Sequence, residues 1–115
     1  MREDILLGKS MNFAVRVVNL YKYLGREKTE KILSKQLLRS GTSIGANVRE
    51  AVYAQSRKDF MSKMSIALKE TSETEYWLEL LFKTEYLTSE QYESIKADCS
   101  EVAKLLTAII KTLKQ

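Results

Sequence analysis

The chain has 115 residues, of which 44% are hydrophobic and none is proline, and this composition predicts a single all-α domain over residues 1–115. Its 19 basic and 15 acidic residues give a net charge of +4, which permits a polyanionic partner without requiring one. Because the chain has no histidine and only one cysteine, Cys99, it lacks the residues for the usual zinc sites, for histidine-dependent nucleophilic catalysis and for an internal disulfide. We therefore expect no catalytic residues, no metal and no cofactor.

The amino-terminal segment contains no apolar run long enough for a signal peptide. No other segment approaches the ~20 apolar residues that a membrane-spanning helix needs. These two features predict a cytoplasmic protein with no membrane partner.

The first predicted helix runs from about residue 5 to residue 24, and Gly25 follows it, as glycine often follows the end of a helix. Apolar residues recur along one side of this helix at helical spacing. A second apolar side makes its hydrophobic surface wider than a single core-facing stripe. That second side consists of Met11, Val15 and Val18.

The second predicted helix, from about residue 28 to residue 53, has two glycines in its interior. Each costs about 1 kcal/mol relative to alanine, so close packing against another helix is expected to offset that cost. A phosphate-binding loop is the alternative, but the spacing fits neither a P-loop nor a dinucleotide fingerprint. The helix-packing motif predicted here comprises Gly41, Ser43, Ile44, Gly45, Asn47, Val48 and Glu50.

Within this motif, Gly41, Ile44 and Val48 share the apolar face and are expected to point inward. Asn47 and Glu50 could form a polar site at a subunit boundary, but we favour a buried hydrogen bond that holds the helices in register. Ser43 has no neighbouring base that would make it a nucleophile.

A basic stripe is predicted on the opposite side of the second helix. At about 100° per residue, five cations fall within a sector of roughly 80°, nearly opposite the apolar face. One interpretation is phosphate binding with release of counterions, and the other is an ordinary solvated outer face. The candidate nucleic-acid-binding residues are Lys28, Lys31, Lys35, Arg39 and Arg49.

The third predicted helix begins after a cap formed by Ser56 and Asp59 and continues to about residue 84. Near its end this helix is apolar almost all the way round. Its apolar surface there is larger than one bundle core can bury. Bases could stack on this surface, a partner protein could bind it, or copies of the chain could associate through it. A single tryptophan among leucines favours self-association. The candidate oligomer interface consists of Tyr76, Trp77, Leu80 and Leu81.

The fourth predicted helix begins at a capping box formed by Thr88 and Gln91 and extends to about residue 113, with Cys99 on its apolar face as a core residue. Short connections between consecutive helices predict antiparallel packing. The sequence thus predicts an up-down-up-down four-helix bundle.

Several segments between residues 7 and 113 give the chain a recognisable pattern. They are residues 36–40 and 43–48, Glu50 and Ala51, residues 58–60 and 66–68, Glu73 and Glu75, and residues 85–88. In these segments the chain resembles the four-helix bundle proteins encoded within intervening sequences of bacterial 23S rRNA genes. The accessory variability protein of diversity-generating retroelements looks like a relative of that family.

The resemblance implies a homo-oligomer, most often a pentameric ring, with no enzymatic activity. The retroelement relative is a basic pentamer that contacts nucleic acid and a reverse transcriptase. We therefore predict an oligomeric protein that binds nucleic acid, RNA above all, through its basic outer faces. The alternative is a protein-interaction scaffold, or an accessory subunit of an enzyme such as a reverse transcriptase, whose positive surface meets an acidic protein partner.

Overall fold

Four long helices make up most of residues 2–114, the part of the chain that the computed structural model describes. They are α1 (Arg2–Glu27), α2 (Leu33–Val52), α3 (Arg57–Lys83) and α4 (Ser89–Leu113). The all-α class predicted from the sequence is confirmed for these residues.

Contacts between neighbouring helices show the direction of each one. α1 packs on α2, α2 on α3, α3 on α4, and α4 on α1. At every interface the residue numbers rise along one helix and fall along its neighbour, so all four interfaces are antiparallel and agree with the predicted up-down-up-down bundle. The contacting pairs are Val17–Gly41 and Ser10–Gly45 between α1 and α2, Ser40–Thr74 and Glu50–Lys63 between α2 and α3, Thr71–Cys99 and Phe82–Tyr92 between α3 and α4, and Lys9–Glu101 and Arg2–Thr112 between α1 and α4.

The core runs along the whole bundle and receives side chains from every helix. Gly41, Ile44 and Val48 are all buried, as their spacing predicted. Cys99 is also buried, and its Sγ atom lies 3.7 Å from the Thr71 carbonyl oxygen. Burial, and to a lesser degree the charge of Glu75, raises the pKa of the Cys99 thiol to about 12. The thiol therefore stays protonated at neutral pH and serves as a core group.

The connection between α1 and α2 differs from the prediction. α1 continues past Gly25, and α2 begins only at Leu33. Lys28 and Lys31 were expected on the second helix, but both lie in the connection that precedes it. Their predicted place on a helical stripe is therefore wrong.

A buried carboxylate explains where α2 begins. Glu30 is only 7% exposed. It accepts hydrogen bonds from the backbone N–H groups of Ile32, Leu33 and Ser34 at 3.0, 3.0 and 2.8 Å. Burial raises the pKa of this carboxyl, but the three N–H donors outweigh burial, so the net shift is downward. The Glu30 side chain thus satisfies amides that the first turn of a helix leaves unpaired.

α3 and α4 begin at the caps that the sequence predicts. Ser56 Oγ accepts a hydrogen bond from the Asp59 backbone N–H at 3.0 Å. Thr88 and Gln91 form the predicted capping box, in which each side chain accepts from the backbone N–H of the other residue, at 3.1 and 2.9 Å. Both predicted caps are confirmed.

Candidate nucleic-acid interface

The two interior glycines of α2 lie where α2 packs against α1. A Cβ atom placed on Gly41 would be 2.8 and 2.9 Å from the two methyl carbons of Val17. One placed on Gly45 would be 3.4 Å from the backbone oxygen of Ser10. The structure thus shows the predicted close helix packing at Gly41, whereas a Cβ on Gly45 would make an ordinary contact with α1.

The polar residues of the motif lie differently from the prediction. Asn47 Nδ2 donates to the Ser43 carbonyl at 2.9 Å, and Ser43 Oγ donates to the Arg39 carbonyl at 2.7 Å, so both bonds stay within α2. Glu50 is exposed and pairs with Lys63 of α3 at 3.1 Å. The predicted buried hydrogen bond between helices is therefore wrong for Asn47 and Glu50.

Another residue pair forms the buried polar contact between helices. The hydroxyl oxygens of Ser40 on α2 and Thr74 on α3 are 3.0 Å apart, and both residues are buried. The available signal was the position of Ser40, three residues after Leu37 and four before Ile44, which puts it on the apolar face of α2. A hydroxyl on such a face needs a partner, because an unpaired buried polar group is costly.

Arg39 is neutralised within the bundle. It forms an ion pair with Glu73 of α3, and its guanidinium lies 3.8 Å from a carboxylate oxygen of Glu70. Trp77 Nε1 donates to the same Glu73 carboxylate at 2.9 Å. The hydrogen bonds from Trp77 and then Arg39 lower the pKa of Glu73, and the hydrogen bond with Glu73 raises that of Arg39. The predicted stripe thus loses one of its cations to a structural network.

The remaining predicted cations do not form one stripe either. Lys28, Lys31 and Lys35 lie at the end of the bundle where α1 meets α2. Arg49 lies 14 residues beyond Lys35, about 20 Å along α2 at 1.5 Å per residue. The structure therefore splits the predicted stripe into a cluster and a distant arginine.

Two residues of α1 enlarge the cluster of lysines. Lys22 and Arg26 lie in the last two turns of α1, beside the connection. We call this group of five exposed cations the basic corner, and it consists of Lys22, Arg26, Lys28, Lys31 and Lys35. Within residues 2–114 its one ion pair joins Arg26 to Glu27 at 3.9 Å. Sequence reasoning missed Lys22 and Arg26 because it considered the charges of one helix at a time.

The candidate oligomer interface is only partly exposed. Leu81 is fully buried, because it follows Leu78 by three residues and shares its core-facing side of α3. Its assignment to an oligomer interface is therefore wrong. Trp77 and Leu80 are half-buried, and Tyr76 remains 57% exposed.

A second apolar surface lies where α1 meets α2. Met11 and Val15, from the predicted second apolar side of the first helix, are 48% and 51% exposed. Beside them runs a groove of about 320 Å³, which we call the α1–α2 groove, lined by Met11 together with the small residues Ala14, Gly45 and Ala46. Gly45 lines this groove and has no side chain that would fill it.

Residues 2–114 contain neither a metal-binding cluster nor a membrane-spanning helix. No three acidic, cysteine or histidine side chains there lie close enough together to hold a metal ion. None of the four helices is long and apolar enough to cross a membrane.

Comparisons with known proteins give a consistent result. A family model described as 23S rRNA-intervening sequence protein matches residues 2–108. The crystal structure of a protein of unknown function, from the S23 ribosomal protein family of Bacteroides thetaiotaomicron, has a chain that is 63% identical in sequence to this one. It superimposes with a TM-score of 0.95 over 96% of this chain and 99% of that one. Among curated proteins, none matches the sequence.

Proposed function

The chain belongs to the family of 23S rRNA-intervening sequence proteins, and from this premise we propose that it is a non-enzymatic protein that binds nucleic acid, RNA above all, through the basic corner. The resemblance predicted from residues 36–51 and the later segments is confirmed by the family match. The proposal concerns what the family match leaves open, which is the ligand.

The observation that carries the proposal is the concentration of cations at one end of the bundle. Five of the cations elsewhere in residues 2–114 form ion pairs, among them Lys9 with Glu101 at 3.1 Å and Arg16 with Asp98 at 2.7 Å. The basic corner places five exposed cations together, with one long ion pair among them. Their mutual repulsion is relieved when phosphates bind, and the counterions that phosphates release favour binding further.

Removing charge from the basic corner tests the proposal. We expect K28Q/K31Q/K35Q to bind labelled RNA at least about tenfold more weakly and to reduce the slope of log affinity against log salt by about 2 to 3, because each lysine near a phosphate adds about one unit. Fluorescence anisotropy over a salt series measures both quantities.

The matched control removes the same charge at the opposite end of the bundle. Lys58, Lys104 and Lys111 are exposed there, and K58Q/K104Q/K111Q should leave most of the affinity and slope intact. Equal losses in the two variants would show that only net charge matters. Absence of RNA and DNA binding even at low salt would contradict the proposal and favour the protein-scaffold alternative.

We further propose that the protein is a homo-oligomer, with the pentameric ring that the resemblance implies. A ring would repeat the basic corner around one assembly and so raise avidity for a long polyanion. Met11 and Val15 support this proposal, because two half-exposed apolar side chains beside an apolar groove favour contact with another apolar surface.

Charge placed on each apolar surface distinguishes the two candidate interfaces. We expect M11E/V15E to dissociate the oligomer into folded monomers, because burying two carboxylates in an interface is unfavourable. Y76E tests the surface predicted on α3 and should leave the assembly intact. Native mass spectrometry gives the masses, and circular dichroism checks folding. A wild-type protein that is monomeric at micromolar concentration would refute the oligomer.

A further inference from the structure

A cleft of about 360 Å³ opens beside the connection between α1 and α2. Its lining residues come from two segments that the fold brings together. Tyr21, Lys22, Gly25 and Arg26 belong to the end of α1, and Lys31 belongs to the connection. The cleft thus contains three cations of the basic corner together with an aromatic ring.

The geometry of the cleft follows from helical spacing and from one glycine. Tyr21 and Gly25 are four residues apart, as are Lys22 and Arg26, so the ring and the two cations occupy neighbouring rows of α1. The stem of Lys31 lies over Gly25, with its Cγ and Cε atoms each 3.8 Å from the position that a Cβ of residue 25 would occupy. The absence of a side chain at Gly25 leaves room for Lys31 to lie against α1.

The charges around the cleft favour an anion. None of its lining residues is acidic. Of the two nearby glutamates in the chain, Glu27 is 3.9 Å from Arg26, and Glu30 directs its carboxylate to the backbone N–H groups at the start of α2. Three cations at one cleft, with no lining carboxylate, make a site where phosphate oxygens would be bound by charge-assisted hydrogen bonds.

We propose that this cleft binds one nucleotide of a single-stranded nucleic acid, with its base stacked on the Tyr21 ring and its flanking phosphates paired with Lys22, Arg26 and Lys31. An aromatic ring interleaved with cations is the arrangement that single-strand sites use, because every base has a face that can stack. Bases in a duplex already stack on each other and do not reach such a ring. The inference rests on the proposed function and specifies which form of nucleic acid the basic corner selects.

Replacing the ring separates stacking from charge. We expect Y21L to weaken binding of a labelled single-stranded RNA about 5- to 100-fold, while affinity for an RNA duplex and the salt slope stay as in the wild type. Y21F, which retains the ring, should bind the single strand normally. Y53L is the matched control, because Tyr53 is 79% exposed at the opposite end of the bundle.

A second measurement does not depend on how the leucine variant folds. A single strand carrying 5-iodouridine, irradiated with the wild-type protein, should crosslink to the peptide that contains Tyr21. Crosslinking confined to other peptides would overturn the proposal. A Y21L variant that binds the single strand as tightly as wild type, or loses single-strand and duplex binding equally, would overturn it as well.

The same experiments distinguish this inference from the broader function. If K28Q/K31Q/K35Q weakens RNA binding and Y21L does not, the basic corner binds nucleic acid but the cleft does not bind a stacked base. If inorganic phosphate displaces the single strand as well as a nucleoside monophosphate does, the cleft is a simple anion site and the stacking proposal fails. If neither RNA nor DNA binds, both proposals are wrong.

Discussion

Replacing Gly41 with alanine is expected to lower the free energy of unfolding by about 1–3 kcal/mol, because the added methyl group overpacks the interface between α1 and α2. A Cβ atom there would lie 2.8 and 2.9 Å from the Val17 methyl carbons and 3.3 Å from the Val17 Cβ atom. Val17 is fully buried, so it has no solvent-filled space into which to move. Alanine's better helix propensity, worth about 1 kcal/mol, offsets only part of this cost.

Gly8 provides a matched control for this substitution. It also lies within a helix, but apart from the local backbone of α1 no atom is within 4 Å of the position that its Cβ would occupy. G8A is therefore expected to raise the free energy of unfolding by about 0.5–1 kcal/mol, because only helix propensity changes. Urea denaturation followed by circular dichroism measures both variants. A G41A variant as stable as G8A would contradict the close packing.

A double-mutant cycle identifies the group that Gly41 avoids. V17A removes both methyl carbons that would clash, so G41A/V17A should be more stable than the sum of the two single changes predicts. Residues in direct contact usually show coupling energies of about 0.5–3 kcal/mol. Purely additive effects would mean that Val17 is not what the new methyl group strikes.

Replacing Glu30 with glutamine is expected to destabilise the protein by about 1 kcal/mol at neutral pH, the usual cost of removing a helix cap. The carboxylate of Glu30 uses both oxygens, one for Ser34 N–H and the other for Ile32 and Leu33 N–H. An amide keeps only one acceptor oxygen and turns an NH₂ donor towards backbone donors. Thermal or urea denaturation of E30Q measures the loss.

The pH dependence gives a second readout of the same interaction. The pKa of Glu30 is lower in the folded protein than its ordinary value of 4.5. The stabilising contribution of the carboxylate is therefore complete above the unfolded pKa and is lost as pH falls through the folded pKa. Wild type should lose more stability than E30Q on acidification below about pH 4.5. The exposed Glu27 is the control for the substitution, and E27Q should be nearly as stable as wild type at neutral pH. If E30Q were equally stable, Glu30 would not be the cap.

Taken together, the packing and the charges of α2 show how one helix serves two surfaces. Gly41 allows α1 to approach closely, and Gly45 lines the α1–α2 groove. Its late start at Leu33, capped by Glu30, leaves Lys28 and Lys31 in the connection, where they join the cations of α1. The basic corner thus depends on a helix boundary.

Local signals in the sequence account for the predictions that the structure confirms. Ser56 and Thr88 cap helices through groups within three residues along the chain, so the sequence reveals them directly. The inward face of α2 follows from helical periodicity, which needs no knowledge of the partner helix. Glu30 was missed because a lone glutamate among lysines has the same pattern as an exposed charge.

Contacts between distant parts of the chain account for what the sequence did not show. Arg39 lies on the side of α2 that periodicity predicted, but Glu70 and Glu73 face it from α3 and remove it from the set of available cations. Leu81 belonged by composition to an apolar cluster, yet the core already covers it. An angular position on one helix says nothing about what the neighbouring helix presents.

The sequence by itself determined the number of helices, their core-facing sides, two of their caps and the family. Only the tertiary structure decided where the cations gather and which apolar residues stay exposed. It also decided that Ser40 and Thr74 form the buried hydrogen bond between α2 and α3. The physical reason is the range of the interactions. Helix formation and capping depend on residues within about four positions, whereas charge pairing and burial depend on side chains that packing brings together from separate helices.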